Sequence, residues 1–288
     1  MSTYIQYIDV ARHLHGLLYQ GDQHVCLQYM KTNSSNSNIY LNVQFHGYTS
    51  IAIAAAKNLY DVVDDMIYRG ADPNFVCMYG STALMSACKY NSTTTAIRLI
   101  NKHKCDKHMR DYKQQTALSI AIQYGSFDIA RHLVVKHHIW ELNIPDVNGD
   151  TPFMIACRRA SYEFIAFMIY KGVDINIKNK ANNSALSYAI DYQPEVCTLL
   201  LNHGADFIHV FETIHNSKFK GSDKIRLCLK NKYRDAIIHI INNNKTGFKK
   251  QFNKLLLFVK YKKHHPLYVS FKKTYAVDII DIICNYII

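Results

Sequence analysis

Apolar and polar positions repeat along this chain with a fixed phase. Thr49, Thr82, Thr116, Thr151 and Ser184 stand 33, 34, 35 and 33 residues apart. Two residues after each comes a large apolar side chain (Ile51, Leu84, Leu118, Phe153, Leu186), and five after each an alanine (Ala54, Ala87, Ala121, Ala156, Ala189). Apolar residues spaced three and four apart form one face of a helix, so each unit predicts a short helix opened by a Thr or Ser cap. A second apolar run follows and stops at a glycine, as in Gly70-Ala71-Asp72-Pro73-Asn74, Gly172-Val173-Asp174-Ile175-Asn176 and Gly204-Ala205-Asp206.

Residues 148–176 show the unit most completely. Asn148-Gly149-Asp150 reads as a turn, because glycine reaches positive φ without steric cost. Thr151-Pro152 opens a helix, with proline at the first helical position, and Gly172 closes the next one. Two helices of roughly ten residues cannot bury their apolar faces alone, so the copies must stack on one another. The alanine column agrees, since a methyl group lets stacked helices approach closely.

The ends follow the pattern less well. Residues 1–46 read as a divergent N-terminal capping unit: a helix from Ile8 to Tyr19, a turn at Gly21-Asp22, a short helix from Val25 to Met30, then a polar loop from Lys31 to Asn38. Residues 47–206 hold the five recognisable repeats. Residues 207–288 form a basic helical region continuous with the stack. Its 233–244 stretch matches the second-helix phase of a degenerate sixth unit, and 246–262 and 274–288 predict the last two helices. The final helix docks as a cap, because a terminal unit shields the core while keeping its outer face wet.

The motif residues resemble the ankyrin repeat, whose pattern is roughly G-x-T-P-L-H-x-A, a second helix, then G-A-D-x-N. Only the fourth unit keeps Thr-Pro, and the motif histidine is absent throughout, its positions holding Ala52, Met85, Ser119, Met154 and Ser187. Bonds between repeats that this histidine makes must therefore be replaced or lost. The resemblance implies an all-α solenoid of helix–turn–helix units with β-turn fingers, acting as a monomeric scaffold for another protein. It also implies a concave groove lined by the fingers and by one end of each first helix.

Placed on this chain, that groove takes Lys57, Tyr90, Tyr124, Arg159 and Tyr192 from the position eight after each cap. The preceding column holds Ala56, Lys89, Gln123, Arg158 and Asp191, of which Lys89 and Arg158 are binding candidates. The fingers contribute Phe45 with His46, Met78 with Tyr79, Tyr112 with Lys113, and Val147 with Asn148. Tyr and Arg dominate binding hot spots because they join large contact area to directed polar groups. With 21 tyrosines in the chain, chance also places some in any column. Binding elsewhere, with these aromatics solvated or packed on neighbours, stays open.

Composition narrows the setting. Ile, Asn, Lys and Tyr are abundant and AT-encoded, and the repeats are divergent. Together these features resemble the ankyrin proteins of large DNA viruses, for which the partner is a host protein. Poxvirus members often end in an F-box-like segment that recruits a ubiquitin ligase, but the segment from His264 to Ile288 lacks a Leu-Pro opening. The eight scattered cysteines form no C-x-x-C pair, which fits free thiols in a reducing cytoplasm or nucleus. No apolar run approaches the length of a membrane span.

Charge is uneven. Residues 1–206 carry 18 Lys and Arg against 17 Asp and Glu, whereas residues 207–288 carry 16 against 5. The basic end, with Lys249-Lys250 and the Lys260–His265 run, opens an alternative of polyanion or nucleic-acid binding. Lysine enrichment on solvated faces is the bland account of the same counts. No phosphate-loop, dinucleotide, nucleophile-elbow or zincin motif is present. His103, Cys105 and His108 lack a second ligand pair at zinc spacing and read as a helix end. No enzyme, cofactor or metal is expected.

Overall fold

The structure is a computed structural model, and it describes residues 2–33, 41, 43–103, 105–136 and 142–206. The chain divides into two compact units, Met1–Asp206 and Phe207–Ile288, and every described residue lies in the first. The expected sixth repeat and terminal helices fall outside the described residues.

Twelve helices are described. The first unit holds α1 (Ser2–Gln20) and α2 (Gln23–Thr32). A two-residue hairpin follows, β1 (Gln44–Phe45) and β2 (Tyr48–Thr49), with Phe45 paired to Tyr48. The five repeats are the pairs α3 (Ser50–Ala56) and α4 (Tyr60–Tyr68), α5 (Ala83–Lys89) and α6 (Thr93–Asn101), α7 (Ala117–Gln123) and α8 (Phe127–Lys136), α9 (Pro152–Arg159) and α10 (Tyr162–Tyr170), and α11 (Ala185–Tyr192) and α12 (Pro194–Asn202). First helices α1, α3, α5, α7, α9 and α11 stack in order, and second helices α2 to α12 stack beside them. The core lies between the two rows.

Each first helix starts where the sequence places its cap. The hydroxyls of Thr49, Thr82, Thr116, Thr151 and Ser184 accept from the backbone N–H of Ala52, Met85, Ser119, Met154 and Ser187. These five N–H donors sit at the positions of the missing motif histidine, so each helix start is satisfied by its cap hydroxyl without that side chain. The alanine column is fully buried in all five units, consistent with close approach of the first helices.

Contacts between repeats come from other side chains. Ser92 Oγ donates to the Ala56 carbonyl at 2.9 Å, Ser126 Oγ to the Cys88 carbonyl at 2.6 Å, and Gln193 Nε2 to the Ala160 carbonyl at 2.8 Å. Asn74 Oδ1 accepts from Asp106 N, Asn143 Oδ1 from Asp174 N, and Asn176 Oδ1 from Asp206 N. In three of the loops an Asn thus ties down the next. Replacing the buried Ser126 with Ala is expected to cost about 1–2 kcal/mol, because the Cys88 carbonyl loses its side-chain donor. Urea unfolding of the full chain measures it, and an unchanged midpoint would remove this bond from the stack's stability.

Two boundaries differ from expectation. The first helix reaches back to Ser2. The second runs from Gln23 to Thr32, since Asp22 Oδ1 accepts from Val25 N and so fixes the start. Lys31 and Thr32 therefore belong to a helix rather than to the polar loop, and Thr32 Oγ1 and Asn33 Nδ2 both donate to the Tyr29 carbonyl.

On the second-helix side, acids and bases of successive units are matched. Arg98 bridges Asp61 and Asp64 at 3.1 and 2.8 Å, and Lys102 Nζ lies 2.6 Å from Asp64. His103 Nε2, a residue of the tempting metal triplet, contacts Asp64 Oδ1 at 2.6 Å. Desolvation alone would raise the Asp64 carboxyl. Hydrogen bonds from His103, Lys102 and Arg98 outweigh it and hold Asp64 below the usual carboxylate range.

Candidate functional site

The fingers form a continuous ladder. Met78 N donates to the Gly47 carbonyl at 3.0 Å, Tyr112 N to Tyr79 at 3.2 Å, Val147 N to Lys113 at 2.9 Å, and Lys180 N to Asn148 at 3.0 Å. Within three fingers a single side chain holds the turn. Asp111 Oδ1 accepts from Lys113 and Gln115, Asp146 Oδ1 from Asn148 and Asp150, and Asn179 Oδ1 from Ala181 and Asn183. Gly80 sits at φ +74°, and a Cβ placed there would meet Tyr112 Cδ1 at 2.7 Å. The missing side chain is what lets the Tyr112 ring lean over the preceding finger.

The first-helix column lies at the C-terminal ends of the first helices. Lys57, Tyr90 and Tyr124 are the C-caps of α3, α5 and α7, and Arg159 is the last residue of α9. All four are exposed, as is Lys89. Lys89 Nζ lies 5.3 Å from the Tyr90 ring centre and 5.6 Å from that of Tyr124. One ammonium therefore joins the aromatic faces of two successive repeats, each such contact being worth roughly 0.5–1 kcal/mol at an exposed position. Tyr192 closes α11, but its side chain is not among those described.

Two tyrosines outside the expected set stand near these groups. The Tyr48 and Tyr79 rings lie 5.8 Å apart. The Tyr19 phenol is pushed above its ordinary value by desolvation first, then by the neighbouring Tyr48 and Tyr90 phenols. Tyr19, Tyr79, Tyr90, Tyr112 and Tyr124 keep 48 to 73% of their surface exposed. Tyr19 lies in the divergent unit, which has no opening Thr to align on. The one available signal is the stop at Gly21, which puts it at the end of its own helix.

Two expected groove residues are engaged in packing instead. Phe45 is half-buried, with its ring edge-on to His15 at 4.8 Å and 6.0 Å beneath the Arg12 guanidinium. Arg158 is also half-buried, its guanidinium 5.4 Å over the Tyr188 ring and its Nε enclosed without a partner. The Tyr188 hydroxyl donates toward Asp150 at 3.0 Å, and Asn179 Nδ2 bonds both groups. Desolvation and the Asp150 bond push that phenol up to about 12. Arg158 is thereby tied into the wall between the last two fingers, while Arg159 faces solvent.

Cys26, Cys77, Cys88, Cys105 and Cys157 are buried thiols. Burial, with Asp106 adding to it, pushes Cys105 up to about 12, which leaves it without reactive thiolate. Among the described residues no group of His, Cys, Asp and Glu could hold a metal, and no helix is long and apolar enough to cross a membrane.

The family model for ankyrin repeats matches residues 50–146 and 134–210, in three copies. The chain belongs to the ankyrin-repeat family. Ankyrin repeats generally mediate protein–protein interaction, and the family is typically a non-enzymatic binding scaffold. This ankyrin-repeat chain is 26% identical over 147 residues to the neurogenic locus notch homolog protein 1 of Homo sapiens, half of the chain against 6% of that protein. It is 38% identical over 129 residues to alpha-latrocrustotoxin-Lt1a of Latrodectus tredecimguttatus, covering 45% of the chain and 9% of the toxin. Over 178 residues it is 25% identical to potassium channel AKT2/3 of Arabidopsis thaliana, covering 62% and 21%. The chain therefore spans only a small part of these relatives. Among solved structures it resembles a chain in the complex of Bd0816, a predatory endopeptidase of Bdellovibrio bacteriovorus, with immunity protein Bd3460. That match has a TM-score of 0.57 and 23% identity, and covers 66% of this chain and 96% of that one; it speaks to fold alone.

Proposed function

We propose that this ankyrin-repeat chain is a non-catalytic scaffold that holds a partner protein against the surface shared by its fingers and first-helix ends. Lys57, Lys89, Tyr90, Tyr124 and Arg159 form the centre of that surface, with Tyr79 and Tyr112 on the fingers and Tyr192 at its far end. Phe45 and Arg158 support it from below. The observation that carries this reading is the Lys89 ammonium placed between Tyr90 and Tyr124, which makes side chains of two repeats one exposed patch. If the chain is viral, as its composition suggests, the partner is a host protein.

Changing Tyr90, Tyr124 and Arg159 together to Ala is expected to abolish partner capture in affinity purification read by mass spectrometry. Because all three are exposed, the melting temperature should stay within about 2 °C. Undiminished capture rejects the surface, and a collapsed melting temperature makes the tyrosines structural.

A second reading rests on charge, since residues 207–288 hold 16 of the 34 Lys and Arg and only 5 of the 22 Asp and Glu. Polyanion binding there predicts that a chain ending at Asp206 loses heparin retention.

A further inference from the structure

Residues 1–206 are nearly neutral in sum, yet their charges are sorted by face. On α4 the acids are matched: Asp65 with Arg69 at 2.6 Å, and Asp61 and Asp64 with Arg98 and Lys102. On the finger and groove side, Lys57, Lys89, Lys113, Arg159 and Lys180 are exposed. Among the described residues none of these five has a carboxylate partner. Three acids of the fingers are already occupied. Asp111 and Asp146 accept backbone N–H groups of their own turns, and Asp150 accepts from Tyr188 and Asn179. What the surface offers is ammonium, guanidinium and phenol O–H donors, set among tyrosine faces.

We propose that this surface takes an extended acidic segment of the partner protein, its carboxylates meeting Lys57, Lys89 and Arg159 and its apolar side chains lying on Tyr90 and Tyr124. The proposal rests on the groove reading above and adds the chemistry of the occupant. Complementary charge across an interface fixes register and suppresses wrong partners. The cations stand singly, one per repeat, with Lys89 between two aromatic rings, which suits side chains presented at intervals along a peptide. A nucleic acid requires many closely spaced phosphate contacts and a field that steers it in, and a unit of near-zero net charge provides no such field.

Random 12-residue peptides displayed on phage and selected on the full chain test this. The expected result is enrichment of Asp and Glu over Lys and Arg, together with aromatic or aliphatic residues. A fluorescein-labelled copy of an enriched peptide should bind Lys89→Glu or Lys57→Glu at least about tenfold more weakly than the wild type. Selection on the Lys57→Glu, Lys89→Glu double variant should shift enrichment toward Lys and Arg. Both lysines are solvent-exposed, so melting curves confirm that the variants fold. Peptides without acidic bias, or a bias unmoved by charge reversal, overturn the acidic partner. So does displacement of the labelled peptide by an oligothymidylate. If Tyr90→Ala with Tyr124→Ala abolishes peptide binding while Lys89→Glu leaves it intact, the groove stands and the acidic occupant fails. If the tyrosine variant also binds normally, the groove itself is wrong.

Discussion

Gly149→Ala is expected to lower the melting temperature by roughly 6–12 °C, while Gly125→Ala lowers it by about a third to two thirds as much. The two glycines share a backbone conformation, with φ of +84° and +80°, so a side chain pays the same left-handed cost at either, about 1–2 kcal/mol. Their surroundings differ. A Cβ at Gly125 meets nothing within 4 Å, whereas at Gly149 it would lie 2.8 Å from the backbone N of Lys180. That nitrogen donates to the Asn148 carbonyl at 3.0 Å, so relief of the clash also breaks the ladder between the fourth and fifth fingers. The combined loss is roughly 3 kcal/mol. Equal shifts in the two variants, measured by circular dichroism on the full chain, would show that the fingers are not in register at this point.

The second large effect is acid lability centred on His15. This residue is 4% exposed, packs edge-on against Phe45, and neither ring nitrogen has a partner at hydrogen-bonding geometry. Desolvation lowers its pKa from 6.5 to about 4; the Val43 backbone opposes this in part, and His46 adds slightly to it. The fold therefore holds the ring neutral. Between pH 6.5 and 4 the unfolded chain binds a proton that the folded chain does not, so stability rises with pH across this window. It is fully present above the unfolded value and is lost as pH falls toward 4. From pH 7 to 4.5 the wild type should lose roughly 2–3 kcal/mol more than His15→Leu, which retains the packing against Phe45. Parallel urea midpoints for the two proteins across that range would contradict a neutral, buried His15. Asp64 titrates lower, since its folded pKa is depressed; its contribution persists above the ordinary carboxylate range and is lost only as pH falls further.

The phase of the repeats was legible because it is enforced one residue at a time. Only a cap with a side-chain acceptor satisfies the open N–H at each first helix, and only a methyl fits the column at Ala54, Ala87, Ala121, Ala156 and Ala189. The exposed column was legible for the same reason, since Lys57, Tyr90, Tyr124 and Arg159 inherit their direction from the helices they end. Phe45 and Arg158 share that phase yet are drawn into packing. The residues that capture them, His15 in one case and Tyr188 in the other, lie 30 positions away in the chain.

The sequence by itself determined the repeating unit, its helix starts and stops, and the exposed column at the ends of the first helices. Those features depend on spacing within about 35 residues, where local geometry links position to direction. The tertiary structure decided what replaces the missing histidine, through Ser92, Ser126 and Gln193. It also decided that the Tyr48 and Tyr79 rings meet across successive fingers, and which charges are matched and which stand alone. These depend on which side chains of neighbouring repeats fall within a few ångströms of each other, a quantity that stacking sets and that no single unit contains.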